Sequence, residues 1–127
     1  LIFDEIDSGV GGAVADTVGR LMQRLGRDRQ VMAVTHLAQV AACAHQHLVV
    51  AKAVHEGQTT SDIGEVRDDV RTTEIARMLG GQITETSRAH AQAMLATARA
   101  QEAQDAQDAD TATPAAGKAP RRRKEAA

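Results

Sequence analysis

The chain has 127 residues, enough for about one small domain, and its formal net charge is −2. Hydrophobic residues make up 43%, but there is one Phe and no Tyr or Trp. This composition disfavours a base-stacking platform for single-stranded nucleic acid, and the near-neutral charge predicts no strong non-specific attraction to DNA. The single cysteine cannot form an internal disulfide, which fits a reducing, cytoplasmic compartment. No apolar run approaches the roughly 20 residues of a membrane span, so we expect no membrane association.

The first part of the chain is predicted to form a strand, a helix and a second strand. An apolar strand over residues 1–3 ends at two acids, and a glycine-rich loop over 7–12 leads into a helix over 13–25. The helix has apolar residues at i, i+4, i+7, i+8 and i+11, and Gly26 is expected to end it. A buried strand follows over 30–34. Because the sequence begins with Leu inside a strand, we expect it to be a fragment of a longer protein.

The rest of the chain is predicted to form a short helix over 37–44, a third strand over 48–51 and a strand within 58–66. Glu56-Gly57 is typical of a hairpin turn between these two strands. A helix over 72–79 should end at two glycines, and a last helix should run from Thr84 or Thr86 to about Gln101. Residues 101–127 have five acids, five bases and no large apolar side chain. They are therefore expected to form a disordered tail.

The alternation of strands and helices with short connections predicts an α/β fold, with a mainly parallel sheet and flanking helices. In such sheets the functional groups gather at the carboxyl ends of the strands. Asp4, Glu5, Thr35 and His36 all follow the ends of predicted strands. We therefore expect these side chains to meet at one edge of the sheet.

Two adjacent carboxylates at the end of an apolar strand are costly unless a cation neutralises them. In a nucleotide hydrolase, one carboxylate of such a pair can hold Mg²⁺ and the other can act as a general base toward the attacking water. His36 lies at the end of the next strand, where a histidine can donate a hydrogen bond to a phosphate oxygen. The pattern therefore favours a phosphate-hydrolysing site over an exposed acidic turn.

The motifs at these positions resemble those of the P-loop ATPases of the ABC type. Asp4-Glu5 is similar to a Walker B motif with its catalytic glutamate, segment 7–12 lies where these ATPases have the D-loop, and His36 resembles their switch histidine. Ile6-Asp7 is similar to the SMC-like branch, whereas transporter ATPases usually have Pro after the glutamate. Within that branch, residues 1 to about 100 resemble the RecN family, which acts in DNA recombination and double-strand-break repair. The resemblance is carried by Phe3 to Asp7, Gly9, Gly12, Gln30 to Met32, Val34 to Leu37, Gln39 to Ala41, Cys43, His45 to His47, Lys52 and Glu74 to Gly81, with a departure at Ala38, where many relatives have Pro.

The resemblance implies a role for each catalytic position. Asp4 would coordinate Mg²⁺, Glu5 would activate the water that attacks ATP, and His36 would contact the γ-phosphate. Residues 1–100 would then be the C-terminal lobe of an ATPase head.

The resemblance also implies a partner. Asp7, Ser8 and Gly9 of the D-loop would cross the interface with a second head and couple two ATP sites in a homodimer. The full-length, nucleoid-associated protein would act on DNA through coiled-coil arms.

Two motifs of a complete ATP site do not occur in the 127 residues. There is no phosphate-binding Gly-x-x-x-x-Gly-Lys-Ser/Thr loop and no Leu-Ser-Gly-Gly signature. In the family that the sequence resembles, both lie upstream. We therefore expect this chain alone to be inactive as an ATPase.

Three other interpretations are open on the sequence. Cys43, His45 and His47 alternate as metal ligands on a strand would, and His55 or Asp62 could complete a zinc site. The chain could instead be the end of a transporter ATPase. It could also be a non-catalytic module whose last helix and basic tail bind a partner or DNA.

Overall fold

A computed structural model of the chain describes residues 1–4, 9 and 11–112. None of its helices has the combination of length and apolar character needed to cross a bilayer, within the residues described. The elements in chain order are β1 (Ile2–Asp4), α1 (Gly12–Asp28), β2 (Met32–Val34), α2 (Ala38–Ala42), β3 (His47–His55), β4 (Gln58–Val66), α3 (Asp68–Gly80) and α4 (Glu85–Ala112).

Strands β1 and β2 form a short parallel pair, with α1 as the crossover between them. In their register Ile2 lies opposite Met32 and Asp4 lies opposite Val34. The pairing is extended at its start, where the Met32 amide donates to the Leu1 carbonyl at 2.8 Å. The predicted strand–helix–strand unit is therefore confirmed, and both strands end at the same edge.

The predicted mainly parallel sheet is wrong for the described residues, because β3 and β4 form a separate antiparallel sheet. Their ladder runs from the pair His47–Val66 to the pair His55–Gln58. The connection after β2 contains the five-residue helix α2, and β3 pairs with neither strand of the parallel pair within the described residues. A two-residue turn instead joins β3 to β4. Glu56 and Gly57 both have positive φ, of 50° and 78°, which confirms the predicted hairpin turn.

Helix α1 differs from the prediction in its end and in its buried face. It continues to Asp28, so Gly26 lies inside the helix and does not end it. A Cβ at Gly26 would lie 3.3 Å from the His45 ring, so the glycine permits a close approach to that loop. The buried residues of α1 are Ala15, Gly19 and Gln23, and not the predicted row of large apolar side chains.

The core lies where α2, α3 and α4 pack together. Ile75 of α3 is fully buried there, and Leu95 of α4 packs in the same cluster. The other members are small, which lets the three helix axes approach closely: Ala38, Ala41, Ala42, Ala76 and Ala91.

The ends of α3 and α4 have clear local causes. Gly81 has φ 78°, and its amide donates to the Arg77 carbonyl at 2.8 Å, so it ends α3 as predicted. At the start of α4, the Thr84 and Ser87 side chains each accept a hydrogen bond from the other residue's amide, in the manner of a capping box. The expected helix end near Gln101 is wrong, because α4 continues to Ala112. Of the predicted tail, residues 113–127 lie outside the described residues.

Large apolar side chains remain exposed on the parallel pair and on α1, and together they are called the uncovered apolar surface. Ile2 is 77% exposed and Val34 58%, and Leu21 of α1 is also exposed. Parallel sheets occur almost only where both of their faces are covered. This surface therefore has the character of one that packs against further protein.

Candidate functional site

Asp4 is the last residue of β1, at the carboxyl edge of the parallel pair, and it is exposed. Its opposite residue is Val34, the last residue of β2. His36 follows two residues later and is also exposed. Paired strands lie about 4.8 Å apart, so Asp4 and the segment that carries His36 leave the sheet side by side. The structure therefore brings these two predicted residues to one edge.

A local hydrogen bond shapes the segment that carries His36. The Thr35 hydroxyl accepts a hydrogen bond from the Leu37 amide at 3.0 Å. This turn, closed by a side chain on the amide two residues later, folds the backbone at His36 instead of letting the strand continue. His36 also takes part in an interaction within the molecule.

The predicted D-loop and catalytic glutamate are only partly within the described residues. Glu5, Asp7 and Ser8 lie outside them. Gly9 is described and has φ 76°, a backbone conformation that a residue with a side chain rarely adopts. The loop thus has a conformational need for glycine at this position, before α1 begins at Gly12.

Helix α2 fixes where the His36 segment leaves the sheet. Ala38, next to that segment, is 2% exposed, and it packs in the core between α3 and α4. At the other end of α2, Arg71 of α3 donates from Nη2 to the carbonyl oxygens of Ala41 at 3.2 Å and Ala44 at 2.6 Å. Carbonyls at the end of a helix often lack partners within it. Arg71 donates to the Ala41 carbonyl, which also accepts from the Ala44 amide, and to the Ala44 carbonyl just beyond the helix. The position of His36 therefore depends on a helix held at both ends.

The zinc interpretation of Cys43, His45 and His47 is wrong, because no group of three potential ligands converges among the residues described. Each of the three side chains has another environment. The Cys43 thiol donates to the Gln39 carbonyl, and burial raises the pKa of this thiol. His45 is paired with Glu102 of α4. Burial, followed by the positive charge of Arg71, lowers the pKa of the His47 ring.

Sequence reasoning missed the polar residues that hold the helices together. Arg71 falls just before the predicted start of its helix, and nothing in its neighbourhood indicates a capping role. Gln23 is on a helix whose buried face was predicted from large apolar residues, yet it is 5% exposed. Its Nε2 donates to the Ala98 carbonyl of α4 at 3.1 Å. Only the tertiary contact between α1 and α4 distinguishes this glutamine from a surface residue.

Comparison with known proteins identifies close relatives. No family model matches the chain. The chain is 48% identical over 96 residues to the DNA repair protein RecN of Deinococcus radiodurans, and 46% identical over 99 residues to that of Vibrio cholerae. It is 48% identical over 100 residues to the DNA repair protein RecN of Streptomyces coelicolor. These alignments cover 76% to 78% of the chain but only 17% to 18% of each relative. The chain belongs to the RecN family.

Proposed function

We propose that this chain supplies one side of the ATP-hydrolysis site of a RecN-type ATPase head that acts in DNA repair and recombination. Asp4 would hold Mg²⁺, Glu5 would accept the proton of the attacking water, and His36 would donate a hydrogen bond to the γ-phosphate. Bound Mg²⁺ and ATP would supply the phosphoryl group and the charge that these residues act on.

The observation that supports this proposal best is the register of the parallel pair. Asp4 lies opposite Val34, so an exposed carboxylate and the turn carrying His36 share one edge. An aspartate oxygen is a ligand that Mg²⁺ prefers, and an imidazole N–H is a donor suited to a phosphate oxygen. The donor set at this edge therefore fits magnesium and a phosphate.

The uncovered apolar surface supports the view that the site is shared with further protein. Ile2, Val34 and Leu21 expose large side chains on the parallel pair and α1. The chain spans about a sixth of the length of its relatives, which leaves most of a head to other segments. We infer that the phosphate-binding loop is supplied by such a segment. A second head would complete the site through the D-loop residues Asp7, Ser8 and Gly9, in a cytoplasmic protein that acts on DNA.

The test is the substitution Glu5→Gln in the full-length protein that contains this sequence. An amide is close in size to the carboxylate but cannot take a proton from water. We expect ATP binding to persist within about twofold and turnover to fall by a factor of about 100 or more, as for loss of a general base. Steady-state ATPase assays and equilibrium binding of a labelled nucleotide measure the two quantities.

The matched control is Glu56→Gln in the turn between β3 and β4, which should leave both quantities unchanged. Glu56 is exposed, and the hairpin is a separate sheet from the pair that carries Asp4. Unchanged turnover in the Glu5 variant would contradict the role of that residue. Equal losses in both variants would show that the effect is not local to the site.

A further inference from the structure

A polar cleft of about 180 Å³ lies among the four helices, away from the edge that carries Asp4. The polar side chains that line it are Gln23, His45, Arg71, Arg99 and Glu102. A water molecule occupies about 30 Å³ of liquid volume, so the cleft has room for a ligand of several heavy atoms.

Two arginines in the cleft have no acidic partner among the described residues. Arg71 uses Nη2 to cap α2, while its Nε is buried and has no hydrogen-bond partner. Burial lowers the pKa of Arg71, and the positive charge of Arg99 lowers it further. A guanidinium stays protonated at neutral pH, so the repulsion between Arg71 and Arg99 is not removed by the loss of a proton. Arg71 and the exposed Arg99 therefore place two positive charges at the cleft, with no acidic partner for either within the described residues.

The one carboxylate that lines the cleft is already engaged. Glu102 pairs with Nε2 of His45 at 2.5 Å, and its backbone carbonyl accepts a hydrogen bond from Arg27 of α1. The Glu102 carboxylate thus already has His45 as its partner. It forms no ion pair with either cleft arginine in the described part of the chain.

Gln23 adds an acceptor to the cleft. Its side chain is almost fully buried, and while Nε2 donates to Ala98, its Oε1 is buried without a partner. A buried polar group left without a partner destabilises the fold, so a ligand that supplies the partner is favoured. Oε1 of Gln23 and Nε of Arg71 have almost no accessible surface, so a ligand reaches them only when the two side chains turn toward the cleft that they line. An oxyanion that also carries a hydroxyl group would then satisfy both atoms and bring negative charge to the cleft arginines.

We propose that this cleft binds a phosphate group, with Arg71 and Arg99 holding its anionic oxygens and Gln23 accepting from its hydroxyl. Guanidinium groups suit this ligand because they present several N–H donors in a fixed plane. The group could be free inorganic phosphate or the terminal phosphate of a nucleotide chain, since each keeps one P–OH beside anionic oxygens in its monoprotonated form. The site is independent of the ATP site proposed above.

The experiment is a titration of the isotopically labelled full-length protein that contains this sequence with sodium phosphate, followed by NMR. Sodium chloride keeps the ionic strength constant, so non-specific screening does not change. We expect saturable shifts of the Arg71 Nε–H, the Gln23 side-chain amide and the Ala44 backbone amide. Repeating the titration with a 5′-phosphorylated dinucleotide and its unphosphorylated form distinguishes a terminal phosphate from the free ion.

Arg99→Gln is the decisive variant, because Arg99 is exposed and has no described hydrogen bond that the fold would lose. We expect it to weaken phosphate binding about tenfold or more, as for the loss of a charge-assisted contact. The control Arg29→Gln removes the same charge from the exposed end of α1 and should stay within about twofold of the unsubstituted chain. Shifts that do not saturate, or equal weakening in the two variants, would overturn the proposal.

Discussion

Arg71 of α3 donates a hydrogen bond of 2.6 Å to the carbonyl of Ala44, just beyond the end of α2. The same Nη2 also reaches the carbonyl of Ala41. A single side chain thus joins α3 to the carbonyl end of the helix that follows His36. This contact connects the stability of the helical core to the geometry of the candidate ATP site.

Arg71→Met should therefore destabilise the chain. Methionine keeps most of the apolar stem but removes the Arg71 donor from the Ala44 carbonyl, whereas the Ala41 carbonyl still accepts from the Ala44 amide at 3.2 Å. The loss of a donor to a partly buried carbonyl costs about 1–3 kcal/mol. Urea unfolding followed by circular dichroism measures the change, and hydrogen exchange should show lost protection over residues 38–44. Arg29→Met is the control, since Arg29 is exposed and has no described side-chain hydrogen bond. A loss below about 0.5 kcal/mol in the Arg71 variant would show that water replaces the cap.

Gly19→Ala and Gly26→Ala should have different effects, although both lie inside α1. A Cβ at Gly19 would lie 2.9 Å from Cys43 Sγ and 3.2 Å from the Gln39 carbonyl oxygen. We expect a loss of about 1–3 kcal/mol, the usual cost of overpacking. At Gly26 the neighbour is the exposed His45 ring at 3.3 Å, which can shift. There the better helix propensity of Ala should offset the contact, because it contributes up to about 1 kcal/mol.

Thermal and urea unfolding of the two glycine variants measure this difference. A double variant with Cys43→Ala should recover part of the Gly19→Ala loss, because it removes the sulfur that lies closest to the new methyl group. Equal stability of the two single variants would contradict the close packing of α1 on the segment after α2.

The parts of the fold that could be predicted from sequence are those that local patterns determine. Apolar runs followed by polar residues gave β1, β2 and their shared edge, and Glu56-Gly57 gave the hairpin. The pairing of β3 could not be predicted in the same way. Whether it joins β2 or β4 depends on tertiary packing, which the local pattern of residues 37–51 does not contain.

Tertiary contacts explain why the rest of the prediction was wrong. Hydrophobicity pointed to Leu21 and Leu25 as the buried face of α1, yet Gly19 and Gln23 are buried instead. Small residues allow the helices to approach closely, and no periodicity of large side chains reveals that. Of the candidate site, Asp4 and His36 were predicted to share an edge and do so, whereas the roles of Glu5, Asp7 and Ser8 remain predictions.

His47 should make stability depend on pH. Its folded-state pKa lies below the ordinary value of 6.5, because burial and then Arg71 disfavour the charged ring. Above pH 6.5 the ring is neutral in both states and its contribution is fully present. As pH falls below 6.5 the unfolded chain gains the proton first, so stability is lost until the folded-state pKa is reached.

The measurement is the free energy of unfolding from pH 8 to pH 5, in the unsubstituted chain and in His47→Asn. The variant should show a smaller loss on acidification, with its stability at pH 8 as the internal reference. A His47 ring that titrates above 6.5 in an NMR titration would contradict this sign.

The extension of α4 beyond Gln101 should depend on its contact with α1. Asp105 accepts hydrogen bonds from Nε of Arg24 at 3.1 Å and from Nη2 at 3.3 Å, and the hydrogen bond from Arg24 lowers the pKa of this carboxyl. No residue of the core cluster lies in α4 beyond Leu95. Asp105→Asn should therefore speed amide exchange over residues 102–112 and leave α2 and α3 unchanged, as measured by hydrogen exchange with mass spectrometry.

Asp110→Asn is the matched control on the same helix, because Asp110 has no ion pair within the described residues. Equal protection of the two variants would show that helix propensity alone maintains this end of α4. Faster exchange confined to the Asp105 variant would establish that the ion pair with Arg24 orders a segment whose composition favours disorder.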